Sequence, residues 1–190
     1  MITLYEAALH TQSNVGTDTQ LLQLKQQIAE MQTEDSTERT NEGCWRSQNR
    51  LSNIDWLISS ISACVKHAID YYSNKDPIFG EAFSSINQKD LNIFYWINVN
   101  EPLSRNIMHA HKSAIFSGVY YVQGTDTGDL RIVNPANILT DCNVWSPFTR
   151  DFYYTPKDQD LILWPSWLPH EVEINNSNRQ RINIAYDIYL

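Results

Sequence analysis

The chain has 190 residues and a mass of 22.0 kDa, enough for one compact domain with a short appended segment and too little for a multi-domain machine. Hydrophobic residues at 42% and aromatics at 12%, with 6 Trp and 10 Tyr, exclude a disordered chain. Fourteen Lys and Arg against 22 Asp and Glu give a net charge of −8, shared by both halves (7 basic and 12 acidic residues in 1–100, 7 and 10 in 101–190), so no basic half exists to follow a phosphate backbone and nucleic acid is not an expected partner, a local groove being the one route left open to it.

The start, Met-Ile-Thr-Leu-Tyr-Glu, has neither a basic leader nor an apolar signal stretch, and no apolar run approaches the ~18 residues that cross a bilayer. Leu21, Leu24, Ile28 and Met31 recur at spacings of three and four behind Thr17 and Asp18, which predicts an amphipathic helix over 18–32. That helix can either cover the body of the protein or pair with a second subunit as a homodimer. From Thr33 to Asn49 the chain turns polar and reads as a linker or loop, pinned back at Cys44-Trp45. Ser52 and Asp55 resemble a capping box, and Ile54, Leu57, Ile58, Ile61, Val65, Ala68, Ile69 and Tyr72 keep helical spacing until Asn74 and Pro77 end a second helix.

Beyond residue 90 the period falls from 3.6 to 2. Over Leu91–Val99, Ile93, Tyr95, Ile97 and Val99 share one face and Phe94, Trp96 and Asn98 the other. Further strands are expected at Ile115–Val122, Asp129–Val133, Phe152–Thr155, Asp160–Trp164, Glu171–Ile174 and Arg181–Ile188, parted by turn signals such as Thr127-Gly128 and Asn134-Pro135. The expected fold is mainly β with N-terminal helices: six or seven short strands with no helix between them argue for a β-sandwich or jelly roll. Residues 1–50 read as a helix and polar loop packed on a body of 51–190. Cys44, Cys64 and Cys142 are odd in number and far apart, with no Cys-x-x-Cys, so neither a disulfide framework nor a zinc knuckle is implied and a reducing cytoplasm is expected.

Three of the five histidines lie in the β-rich half. His109 and His111 alternate along an extended segment, so both imidazoles project to one side and are able to share an ion. Two solvated histidines at a strand edge produce the same pattern. His170 follows an apolar strand and Pro165-Ser-Trp-Leu-Pro169, and completes a set of three with open positions, the requirement of non-haem Fe(II) chemistry, whose usual ligands are two His and one carboxylate. Arg181 shares a strand face with Asn183 and Ala185; an inward Arg needs an anion, either one of the protein's own acids or a substrate carboxylate. His10 and His67 carry no such signal.

Together Trp96-Ile-Asn98-Val-Asn100, Asn106-x-x-His109-x-His111, Ser117-Gly-Val-Tyr-Tyr-Val122, Trp164-Pro-Ser-Trp-Leu-Pro-His170-Glu-Val172 and Arg181-x-Asn183 resemble the Fe(II)/2-oxoglutarate-dependent dioxygenases of the prolyl-hydroxylase type, and more closely a bacterial and phage branch of the 2-oxoglutarate/Fe(II) oxygenases. With Gly43-Cys-Trp45-Arg-Ser47, the likeness covers about residues 43–190. It implies a double-stranded β-helix (jelly roll, cupin-like) with iron on His109 and His170, and the distal carboxylate of 2-oxoglutarate on Arg181. Tyr121 and Asn183 are implied as further supports of the cosubstrate, and Asn98 as a weaker pocket candidate. The departure is His111, which stands where the wider superfamily has its carboxylate ligand. Either His111 completes a three-histidine site, leaving the charge of Fe(II) uncompensated by protein, or Asp126 or Asp129 supplies the third ligand; zinc also accepts three imidazoles. The implied reaction uses Fe(II), 2-oxoglutarate and O2 to hydroxylate a protein side chain or small molecule, releasing succinate and CO2. Two alternatives stand beside it: a non-catalytic jelly-roll assembly protein with a vestigial or zinc site, and a three-histidine cupin dioxygenase that does without 2-oxoglutarate.

Overall fold

The computed structural model describes residues 7–33, 36, 41–47, 51–84, 91–135 and 150–190; Cys142 lies outside them. Helix α1 (Asp18–Met31) opens on a full capping box, in which Thr17 Oγ1 accepts from Gln20 N and Gln20 Oε1 accepts from Thr17 N. Helix α2 (Asp55–Lys75) buries Leu57, Ile61, Cys64, Val65 and Ala68. The expected Ser52/Asp55 capping box does not form. Ser52 is engaged elsewhere, donating from its N–H and hydroxyl to Gln27 Oε1 at 3.0 Å each, which ties the start of α2 to α1. Pro77 ends α2 as expected but also opens a third helix, α3 (Pro77–Ser84), where a proline at the first helical position loses no hydrogen bond and Asp76 Oδ1 accepts from Ile78 N.

Among the described residues nine strands follow one another as β1 (His10–Gln12), β2 (Asn41–Arg46), β3 (Asn92–His109), β4 (Phe116–Gln123), β5 (Leu130–Ile132), β6 (Phe152–Tyr154), β7 (Leu161–Pro165), β8 (His170–Val172) and β9 (Arg181–Tyr189). All pairings are antiparallel, in the order β1-β7-β4-β9-β3-β8-β5-β6, with β2 beside β3. The sheet is curled. The first half of β3 pairs with β9 over Asn92–Asn100, and its far end pairs with β8 at Asn106 and His109, so one 18-residue strand runs from a large sheet into a small one. Two segments differ from the sequence reading. Part of the polar stretch 33–49 is strand β2, which pairs with β3 on both sides of a bulge, and β1 adds an edge strand to β7.

The alternation of β3 places the site. Ile93, Tyr95, Ile97 and Val99 turn outward to a core built with Leu24, Ile28, Leu57, Ile61 and Val65 of the helices. Burying that layer, at roughly 25 cal/mol per Å² of apolar surface, is the main force holding the helices to the sheet. A smaller cluster of Val119, Tyr121, Leu130, Ile132, Ile162, Trp164 and Leu168 fills part of the inner face. The rest of that interior is polar and open. Among the described residues no helix is long and apolar enough to cross a membrane.

Candidate active site

His109 ends β3, His111 lies two residues beyond it and His170 begins β8, directly opposite His109 in register. The three rings offer nitrogens that all lie within 4.8 Å of one another. Each Nδ1 already has a partner: Ile107 O at 2.7 Å from His109, Leu168 O at 3.0 Å from His170, and Asp187 Oδ2 at 2.7 Å from His111. Carbonyl and carboxylate oxygens only accept, so the protons sit on Nδ1 and the Nε2 lone pairs are left bare. His111 Nε2 is buried with no partner among the described residues. Burial holds His109 below the usual imidazole range and pushes His170 down to about 3, with the neighbouring histidines adding to both shifts. Neutral, pre-oriented imidazoles are the form that binds a metal.

The inward face of β9 carries Arg181, Asn183, Ala185 and Asp187, opposite Asn100, Asn98, Trp96 and Phe94 of β3. Arg181 is fully buried. It donates to Thr127 O at 2.8 Å and Glu173 O at 3.4 Å, while its Nε and second terminal nitrogen have no partner among the described residues. Burial lowers its pKa, partly countered by Tyr121 and Cys44. A pocket next to it is lined by the three histidines with Asn98, Tyr121 and Asn183, and Asn98 Nδ2 donates to Asn183 Oδ1 at 3.1 Å, leaving the Asn183 amide nitrogen to serve as a donor. Trp96 stacks on His111 at 5.8 Å and Trp164 meets His170 edge-on at 5.0 Å, so two of the six tryptophans wall the centre. Trp167 is half exposed and does not line the pocket.

Residues 94–187 match the family described as "Putative 2OG-Fe(II) oxygenase". That stretch is a 2OG-Fe(II) oxygenase domain. The fold of the chain agrees with that assignment. A Pseudomonas putida prolyl-4-hydroxylase is 14% identical with a TM-score of 0.63 over 95% of this chain and 91% of its own. A Trichoplax adhaerens prolyl hydroxylase in complex with a hypoxia inducible factor peptide fragment is 13% identical, TM-score 0.59, over 95% and 83%. HygX of Streptomyces hygroscopicus, with nickel, 2-oxoglutarate and hygromycin B bound, is 11% identical, TM-score 0.57, over 95% and 82%. No curated protein sequence matches the chain.

Membership implies Fe(II) and 2-oxoglutarate, and the residues of this oxygenase fit both: three bare imidazole nitrogens converge, and a buried guanidinium keeps two unused donors. No carboxylate joins the histidine cluster among the described residues, Asp126 and Asp129 included. Arg181 is not spent on one of the protein's own acids; its partners are backbone carbonyls. It precedes Asn183 on the same face of β9 and is not itself one of the residues that line the pocket. Sequence reasoning missed Asp187 and Ser117. Asp187 was within reach, since the period-2 face through 181, 183 and 185 continues to 187, whereas the pairing of Ser117 with Asp187 depends on the β4–β9 register.

Proposed function

We propose that this oxygenase holds Fe(II) on His109, His111 and His170, and 2-oxoglutarate on Arg181 with Asn183 and Tyr121, and that it hydroxylates a protein side chain or small molecule. The carrying observation is the joint placement of three bare imidazole nitrogens and an unsatisfied buried guanidinium on one inner face. When bound, Fe(II) with 2-oxoglutarate and O2 supplies oxidation of a C–H bond coupled to release of succinate and CO2.

The chain's own part is binding and orientation. The partnered Nδ1 atoms hold the rings as ligands, and Arg181 offers two N–H groups to the far carboxylate, the geometry that favours Arg over Lys. Asn98 keeps the Asn183 amide turned so that its nitrogen donates. Tyr121 is almost fully buried beside Arg181; burial raises its phenol pKa, so it stays a neutral donor. Trp96 and Trp164 exclude water from the centre. Molecules of both kinds are bound by neighbours of this fold, a peptide fragment by one and hygromycin B by another. Cys64 is a buried thiol outside any disulfide, which supports a reducing cytoplasm.

The test is an anaerobic Fe(II) titration of metal-stripped protein with and without 2-oxoglutarate, following the visible charge-transfer band of a chelated 2-oxo acid. The band is expected, and His109→Ala or His170→Ala abolishes it. Iron binding without a band would move the assignment to a three-histidine site that does not use 2-oxoglutarate. Binding of zinc alone would end the redox reading.

A further inference from the structure

His111 stands two residues past the end of β3, yet three contacts fix its ring: its backbone N–H donates to Ser166 O at 3.0 Å, Trp96 lies stacked on its face, and Nδ1 donates to Asp187. Asp187 is itself held. Ser117 Oγ donates to Oδ1 at 2.7 Å and the Tyr189 hydroxyl to Oδ2 at 3.2 Å, and the residue is 4% exposed. A strand that needs only to pair has no use for a buried acid at its inner face, and an acid is tolerated there only with partners that satisfy it. His109 and His170 rest on neutral backbone carbonyls; His111 alone of the three rests on a carboxylate.

We propose that Asp187 is a positioning residue for the metal: through His111 it delivers the negative charge that a carboxylate ligand brings in sites of two histidines and one acid, and it holds that ring with Nε2 bare and facing the other two histidines. The acid is displaced outward by the width of one imidazole, so the centre keeps the formal charge of the two-histidine, one-carboxylate arrangement. On this assignment the protein meets the metal's charge through His111, in place of the uncompensated three-histidine site expected from the sequence. The inference rests on the metal reading above. A carboxylate behind a ligating histidine fixes its tautomer and raises its basicity, and losing such a partner weakens metal binding by roughly 10–100-fold.

The experiment measures Zn(II) affinity of the metal-stripped chain by competition with a chromophoric chelator, so no turnover is required. Asp187→Asn, nearly isosteric, is expected to weaken Zn(II) by roughly 10–100-fold. Placed in a His111→Ala background, the same substitution changes affinity by no more than about twofold, because a residue that acts through His111 has nothing left to act on. An unchanged affinity in Asp187→Asn, or an equal loss in both backgrounds, overturns the proposal and leaves the metal site standing. Failure of the wild-type chain to bind Zn(II), or binding untouched by His170→Ala, overturns the metal reading and the proposal together. Should Asp187→Asn not fold, long-range nitrogen–proton NMR of the Zn(II)-loaded wild type decides: a His111 proton on Nδ1 supports the assignment, and ligation through Nδ1 refutes it.

Discussion

A guanidinium buried with two idle nitrogens is a liability to the fold that keeps it. Arg181 has 0% exposure, and its hydrogen bonds go to Thr127 O and Glu173 O with no anion beside it among the described residues. Even a buried ion pair can often be replaced by apolar side chains of similar volume at no loss or a gain of about 1–4 kcal/mol, and a buried charge with no partner anion has less to lose. Arg181→Met is therefore expected to leave the ligand-free protein at least as stable as the wild type in urea unfolding. The same variant loses its hold on 2-oxoglutarate by at least roughly 100-fold, since it gives up two charge-assisted hydrogen bonds that contribute about 1.5–3 kcal/mol each. A destabilised Arg181→Met protein that still binds 2-oxoglutarate normally would mean that the guanidinium is structural. Arg181→Lys keeps the charge without the fork and should fall between the two in affinity, read by isothermal titration.

Strand β4 shows how an element serves two layers at once. Its outward residues Phe116, Tyr120 and Val122 join the helix-side core, while Ser117, Val119 and Tyr121 face the interior. Between them Gly118 gives passage to Tyr186, whose hydroxyl donates to Ile162 O at 2.8 Å. A Cβ at 118 would sit 2.3 Å from Tyr186 Cζ and 2.4 Å from Ile162 O, and the second of these is backbone that cannot swing aside. Gly118→Ala is expected to cost about 1–3 kcal/mol as an overpacking change, measured as a lowered urea midpoint, and shortening Tyr186 to Leu should relieve only part of that cost because Ile162 O stays in place. Strict alternation makes the faces of β3, β4 and β9 legible in the amino-acid order alone, and with them most of the pocket wall, Asn98, Tyr121 and Asn183 included. Strand β2 is not legible in that way. Asn41-Glu-Gly-Cys has no alternation, and it becomes a strand because the two limbs of β3 present free edges on either side of the bulge, a long-range fact. The same holds for Ser52, whose capping role is displaced by Gln27, a residue 25 positions away. Local signals identify what a residue is able to do, and tertiary competition decides which option is taken.

Across the whole molecule, stability and chemistry occupy opposite faces of one curled sheet. The outer face and the helices form the larger apolar core, whereas the interior holds buried Asn98, Asn183, His170, Arg181 and Asp187. This division predicts how the metal-free protein responds to acid. His170 is pushed down to about 3 and His109 is lowered, both chiefly by burial, against an ordinary imidazole value of 6.5. In the unfolded chain these rings take up protons near 6.5 while the folded protein refuses them. Their contribution is thus intact above 6.5 and is lost progressively as pH falls from there toward the folded values. Each such group steepens the decline by up to about 1.4 kcal/mol per pH unit. Urea unfolding of metal-free protein between pH 7.5 and pH 5 is expected to show stability falling on the acid side, and His170→Gln should flatten that fall by removing one of the titrating rings. Zn(II), which needs the same nitrogens unprotonated, should raise the midpoint at pH 7.5 and lose that effect toward pH 5. If the fall is as steep in His170→Gln as in the wild type, the acid sensitivity belongs to groups other than His170 and the burial of His170 is not what sets it.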